Sequence, residues 1–365
     1  MGIRTRTHAS VRAAIAVATA SLALASCTPG PPPPGPLPST TTSRPTTTTT
    51  SPTTSTPPTT RPTTTTGPTT TTTPPPTPAD DFHPAGYQQV FADDFDGTEL
   101  DRDTWCTRYI YGGGATPTTD PECTRNGDGT LDFLNDEQQR YVDTNRRGER
   151  MHEVGGGVLR LRATKTRNDA YASYESAMIR SKQLFRPSAS TSYYLTARVR
   201  LPDVIGTWPA FWLNSDRRAD GSTTWPPEVD ILEGAYNGRD DRADMLHQSV
   251  IIRGAQTASG NHDYTYTAPE FDRQWNNYHA SSSLRARWIE VGLEWTSTGL
   301  CYFVDGYKTA CENYRWVEDG GAQAAPAHVL LNLAIGGGWA GRYGIDDTKL
   351  PTSFDIDHVR VYSKG

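Results

Sequence analysis

Three acidic residues fall within six positions in the stretch TWPPEVDILEGAYNG, residues 224–238: Glu228, Asp230 and Glu233, set among Val229, Ile231 and Leu232. Side chains alternate between faces of a strand, so Glu228 and Asp230 share one face while Val229 and Ile231 point the other way, into a core. Glu233 lies five residues beyond Glu228 and on a regular strand would join the apolar side. A buried unpaired carboxylate is costly, so either the strand ends before Glu233 or one extra residue bulges and returns it to the acidic face. With the bulge, four strand positions put the two glutamate Cα atoms about 13 Å apart, and leaning side chains bring their carboxyl groups to roughly 5–6 Å. That gap suits retaining cleavage of a glycosidic bond, in which one carboxylate attacks the anomeric carbon and the other protonates the leaving oxygen. Asp230, between them, is placed to hydrogen-bond the attacking carboxylate.

Such a triad needs a rigid sheet beneath it, and the chain has the matching periodicity. Leu195, Ala197, Val199 and Leu201 alternate with Thr196, Arg198 and Arg200; Leu159 and Leu161 alternate with Arg160 and Arg162; Val291, Leu293 and Trp295 alternate with Glu290, Gly292 and Glu294. No long amphipathic helix competes with this pattern. Many short strands separated by Gly-rich turns predict an all-β, two-sheet antiparallel sandwich.

The first 80 residues are of another kind. Arg4, Arg6 and Arg12 precede a small apolar run, so residues 1–26 read as a secretory signal. Its end, Leu24-Ala25-Ser26-Cys27, is similar to a bacterial lipobox, in which Cys27 is acylated; the alternative is an ordinary signal peptide cut near Ala25. Residues 27–80 are mostly Thr and Pro, which cannot form a core and suit a semi-rigid, O-glycosylated stalk. The predicted product is an extracellular or cell-surface head, residues 81–365, that meets a membrane only through a lipid anchor. That head carries 30 basic and 40 acidic side chains, a net −10 that argues against nucleic-acid partners.

Five cysteines leave one unpaired in an exported protein, which an acylated Cys27 explains. The other four form two local couples, Cys106 with Cys123 and Cys301 with Cys311. The second couple flanks YFVDGYKTA, where Asp305-Gly306 signals a hairpin turn, and a bulge would bring the two cysteines opposite each other.

EVDILE resembles the Glu-x-Asp-x-x-Glu signature of glycoside hydrolase family 16, in its bulged, laminarinase-like form. The resemblance runs from about residue 89 to 363. FADDFDGTELDRDTW is similar to the family's opening strand, NDEQQRY to its Asn-x-Glu-x-Gln-x-Tyr segment, GTWPAFWLN to the strand before the catalytic one, LLNLAIGGGWAG to a late cleft strand and IDHVRVY to the closing strand. It implies a concanavalin-like jelly roll with a concave cleft, a monomer with a polysaccharide substrate, and retaining hydrolysis with Glu228 as nucleophile, Asp230 as its assistant and Glu233 as general acid and base. Asn135 takes a sugar-contacting position by the same resemblance. No cofactor is required for the chemistry, and Asp94 and Asp357 match positions that bind structural calcium in many relatives; the alternative is a pair of surface acids.

Trp208 and Trp212 lie four apart and share a face, either stacking on sugar rings or filling core. Trp339 follows three glycines, a setting for a cleft-edge loop that stacks on sugar, and His247 either faces the leaving group or is structural. Two departures from the family leave the glycan open: Ile289 and Val291 where relatives have a His-x-Tyr pair, and Ser176-Ala177-Met178 where laminarinase-like members have Ser-Gly-Arg. A β-1,3-glucan is the expected substrate of an endo-acting hydrolase. A transglycosylase, a galactanase and a noncatalytic carbohydrate-binding protein are the alternatives.

Overall fold

Alternating apolar and polar residues give strands, and in the computed structural model two sheets close over the apolar set. Residues 82–110, 134–166, 172–222, 225–251, 276–318 and 321–365 are described. The expected signal peptide, Cys27, the Thr/Pro-rich stalk and Cys123 lie outside them.

Strands are numbered in chain order. The first sheet has ten: β15 (Tyr307–Asn313), β14 (Gly299–Val304), β13 (Trp288–Trp295), β8 (Ser192–Arg200), β17 (Thr352–Lys364), β5 (Leu159–Lys165), β6 (Tyr174–Ser176) and β3 (Gln139–Tyr141) in spatial order, with β1 (Gln88–Asp93) on β17 and β4 (His152–Val154) on β5. The second has seven, in the order β12 (Asn276–His279), β11 (Met245–Ile251), β10 (Glu228–Glu233), β9 (Thr207–Ser215), β16 (Ala327–Ile335), β7 (Met178–Ser181) and β2 (Trp105–Cys106). The pairings between these strands are antiparallel except β3 with β6. This is the predicted all-β sandwich.

One apolar cluster fills the space between the sheets. Leu195, Ala197 and Val199 of β8 and Val291, Leu293 and Trp295 of β13 share it with Phe211 and Leu213 of β9, Val229, Ile231 and Leu232 of β10, and Val329, Leu331 and Leu333 of β16. Ile289 and Val291 belong to this core on the ten-stranded sheet, so the first departure from the family pattern does not border the site and its expected bearing on substrate is corrected. Met178 does face the other way, in a smaller cluster with Tyr141, Ala210, Trp212 and Leu330.

The predicted hairpin closes through Asp305 and Gly306, whose φ values of 49° and 77° are both left-handed, as a tight two-residue turn requires. A register irregularity between Tyr302 and Phe303 then sets Cys301 opposite Cys311, and the two form a disulfide. Cys106 is also disulfide-bonded.

Each of the two acids expected to bind calcium is paired with an arginine. Asp94 accepts from Nε and Nη2 of Arg360, and Asp357 accepts from Nη1 of Arg198 at 3.0 Å. A guanidinium already occupies each carboxylate, whereas calcium needs six to eight converging oxygens. Among the described residues no group of three or more His, Cys, Asp and Glu could hold a metal ion.

Candidate active site

The question of where Glu233 points is answered by register. On β11, Glu228, Asp230 and Glu233 oppose Ile251, Ser249 and His247, which alternate by two, and the pairing shifts between Asp230 and Glu233. On β9 the same residues oppose Asn214, Trp212 and Ala210, with the shift between Asp230 and Leu232. One residue is therefore extra on β10. Ile231 and Leu232 both enter the core, and the three carboxylates emerge together on the face turned away from it.

Each carboxylate meets different donors. Glu228 is half-buried, and its Oε2 accepts from Asn214 Nδ2 at 2.8 Å and Trp225 Nε1 at 2.9 Å. Asp230 Oδ2 accepts from Ser249 Oγ at 2.7 Å. Glu233 is 8% exposed, and its Oε1 accepts from Trp208 Nε1 at 3.2 Å. Burial raises all three groups above the usual carboxylate range: Asp230 to about 7, and Glu228 and Glu233 well above it, with the neighbouring Asp230 adding to both glutamates. Like charges crowded in a dry site cannot all ionise, so the triad titrates as a unit and holds protons near neutrality.

The sequence-predicted tryptophans do share this face. Trp208 stands half-buried over Glu233, and Trp212 is 9% exposed, with Nε1 donating to Asn332 Oδ1 at 2.8 Å and its ring beside Tyr109. Trp212 thus lies in the apolar patch on the outer face of the sheet rather than in the main core. Trp339, on the short helix Gly337–Ala340, packs edge-on to Trp208 with ring centroids 4.9 Å apart. His247, opposite Glu233, is as close to Trp339.

The three glycines before Trp339 have a steric reason. A Cβ on Gly336 would come within 2.7 Å of the Gln138 side chain, and one on Gly337 within 2.6 Å of Asp136 Oδ1. Gly338 N donates to Asp136 Oδ2 at 2.6 Å, so this loop clasps the 135–139 segment. Asn135 lies at that clasp, exposed, with a left-handed φ of 50°. The same segment ends in a buried network: Gln139 Nε2 and Tyr141 OH both donate to Glu137 Oε2, and Asn332 Nδ2 donates to Tyr141 OH. Burial lifts Glu137 to about 7 against the pull of those two donors.

Several residues of the site escaped the sequence reading. Asn214 continues the even spacing of Trp208 and Trp212, and Ser249 lies two beyond His247, so extending each alternation would have found them. Tyr109 and Trp225 come from irregular segments and carry no periodic signal.

No protein-family model matches the chain. A beta-glucanase from Rhodothermus marinus is 30% identical over 272 residues, covering 71% of this chain and 84% of that protein. Glucan endo-1,3-beta-glucosidase A1 from Niallia circulans is 25% identical over 292 residues, 77% of this chain and 38% of that longer protein. Among solved structures, the laminarinase from Rhodothermus marinus superposes with a TM-score of 0.54 at 25% identity, covering 76% of this chain and 97% of that one.

Proposed function

The chain belongs to glycoside hydrolase family 16, and from that premise we propose that Glu228 is the nucleophile, Asp230 its assistant and Glu233 the general acid and base. The protein is an endo-acting β-1,3-glucan hydrolase that works with retention of configuration.

What carries the assignment of roles is the unequal hydrogen bonding of the two glutamates. Two N–H donors converge on Glu228 Oε2, which favours its anion and leaves Oε1 to attack. Glu233 has a single longer bond from Trp208 and less solvent, so the proton resides there. In the first step Glu228 Oε1 forms a bond to the anomeric carbon while the glycosidic C–O bond breaks, and Glu233 gives its proton to the departing oxygen. In the second, Glu233 takes a proton from water as that water displaces Glu228, and the original configuration returns. Asp230, fixed by Ser249, lies between the two and shares the site's protons as charge moves from one glutamate to the other. Trp208, Trp212 and Trp339 offer indole faces to the C–H surfaces of sugar rings, with Asn135 at the lip of the same face.

The N-terminal 80 residues support a surface location: a signal, an acylated Cys27 and a stalk that holds the head away from the membrane. A reducing-sugar screen over laminarin, lichenan, agarose, carrageenan and xyloglucan tests the substrate. Laminarin is expected to be cleaved fastest, because the head is acidic overall and suits a neutral glucan. A higher rate on carrageenan would overturn that choice.

A further inference from the structure

Asp241 has no part in the steps above, yet it is 6% exposed and sits beside the acid/base residue. It lies in the connection between β10 and β11, caged by Asn237, whose Oδ1 accepts from Asp241 N and whose Nδ2 donates to Asp241 Oδ2 at 2.6 Å. Trp339 Nε1 donates to the same oxygen at 2.8 Å, and His247 Nε2 meets Oδ1 at 2.7 Å. A carboxylate only accepts, so the Nε2–H of His247 donates to it, while Nδ1 meets the side-chain amide of Asn277 at 2.6 Å. One buried anion thus ties together three segments: the β10–β11 connection, β11 and the helix of Trp339.

Those ties lead to Glu233. His247 is its cross-strand partner. Trp339 packs 4.9 Å from both His247 and Trp208, and Trp208 Nε1 donates to Glu233 Oε1. We propose that Asp241 is a positioning residue for proton donation: by fixing Trp339 and His247 it holds the Trp208 N–H on Glu233 Oε1, which leaves Oε2 as the oxygen that delivers the proton. The inference rests on Glu233 being the general acid. The negative charge of Asp241 acts in the same direction, since it opposes ionisation of Glu233 after the larger effects of burial, Asp230 and Glu228.

A residue that merely braced loops would affect all substrates alike, whereas one acting through the acid matters only when the leaving group needs a proton. The test compares kcat/KM for phenyl and 2,4-dinitrophenyl β-glycosides of the same oligosaccharide in wild type, Asp241→Asn, Asn237→Ser and Glu233→Gln. Asn237→Ser removes the Nδ2 donor to Asp241 Oδ2 and leaves the indole faces in place, so it carries the test if Asp241→Asn fails to fold. Misplacement of a catalytic group by about 1 Å costs about 100-fold, so both variants should lose about 10- to 100-fold on the phenyl glycoside and less than about threefold on the dinitrophenyl one. Equal losses on both substrates, with Glu233→Gln still discriminating between them, would overturn the role of Asp241. If Glu233→Gln itself failed to discriminate, the acid assignment beneath the proposal would fall first.

Discussion

Asn214 is a sharp place to perturb the nucleophile. It is fully buried, Nδ2 donates to both Glu228 Oε2 and Tyr109 OH, and its Oδ1 has no partner among the described residues. Turning the amide over would aim that oxygen at a carboxylate, so the orphaned acceptor is the consequence of presenting N–H to Glu228. Asn214→Leu removes the donor at similar volume. A hydrogen bond to a charged group contributes about 1.5–3 kcal/mol, and with Trp225 still in place the lower figure applies. At 1.36 kcal/mol per unit that is about one pKa unit. Losing a donor disfavours the anion, so the pKa of Glu228 rises and the acidic limb of kcat/KM against pH should move up by about one unit. Rates below the limb fall about tenfold, and those above it change little. Relief of the orphaned Oδ1, about 1–3 kcal/mol, offsets the lost bonds, so the melting temperature should stay near that of wild type. A uniform loss at every pH with an unmoved limb would refute the reasoning.

Two further outcomes test other parts of the molecule. Glu137 titrates near 7 in the fold and near its ordinary 4.5 when unfolded, so its contribution to stability is present below about pH 4.5 and is lost as pH rises through 7. Glu137→Gln should remove about 3 kcal/mol of that decline, read as the difference between wild-type and variant urea midpoints at pH 4 and pH 8; identical pH dependence would contradict it. Cys27→Ala should release the protein from the membrane fraction with its specific activity unchanged, and equal retention of the variant would rule out the lipid anchor.

The triad was legible because its spacing conflicts with a regular strand. Only a bulge reconciles Glu228, Asp230 and Glu233 with three core residues, and the pair Ile231-Leu232 is the local mark of it. Trp208 and Trp212 were legible from strand parity. The groups around the glutamates were less so: Trp225 donates to Glu228 from an irregular segment, and Asp241 accepts from Trp339 across 98 positions of sequence. Alternation says which face a residue takes but not which partner waits there. The partners of the two acids expected to bind calcium were hidden for the same reason, since Arg198 and Arg360 reach Asp357 and Asp94 from neighbouring strands on the outer side of the ten-stranded sheet.

The division of labour between Glu228 and Glu233 meets its most direct test in azide rescue of Glu228→Ala on an activated β-glycoside. With the nucleophile removed and the acid intact, azide attacks from the vacated side, and proton NMR should show the α-glycosyl azide. A β-glycosyl azide from Glu228→Ala, with the α-adduct arising instead from Glu233→Ala, would mean that the two carboxylates hold the opposite roles.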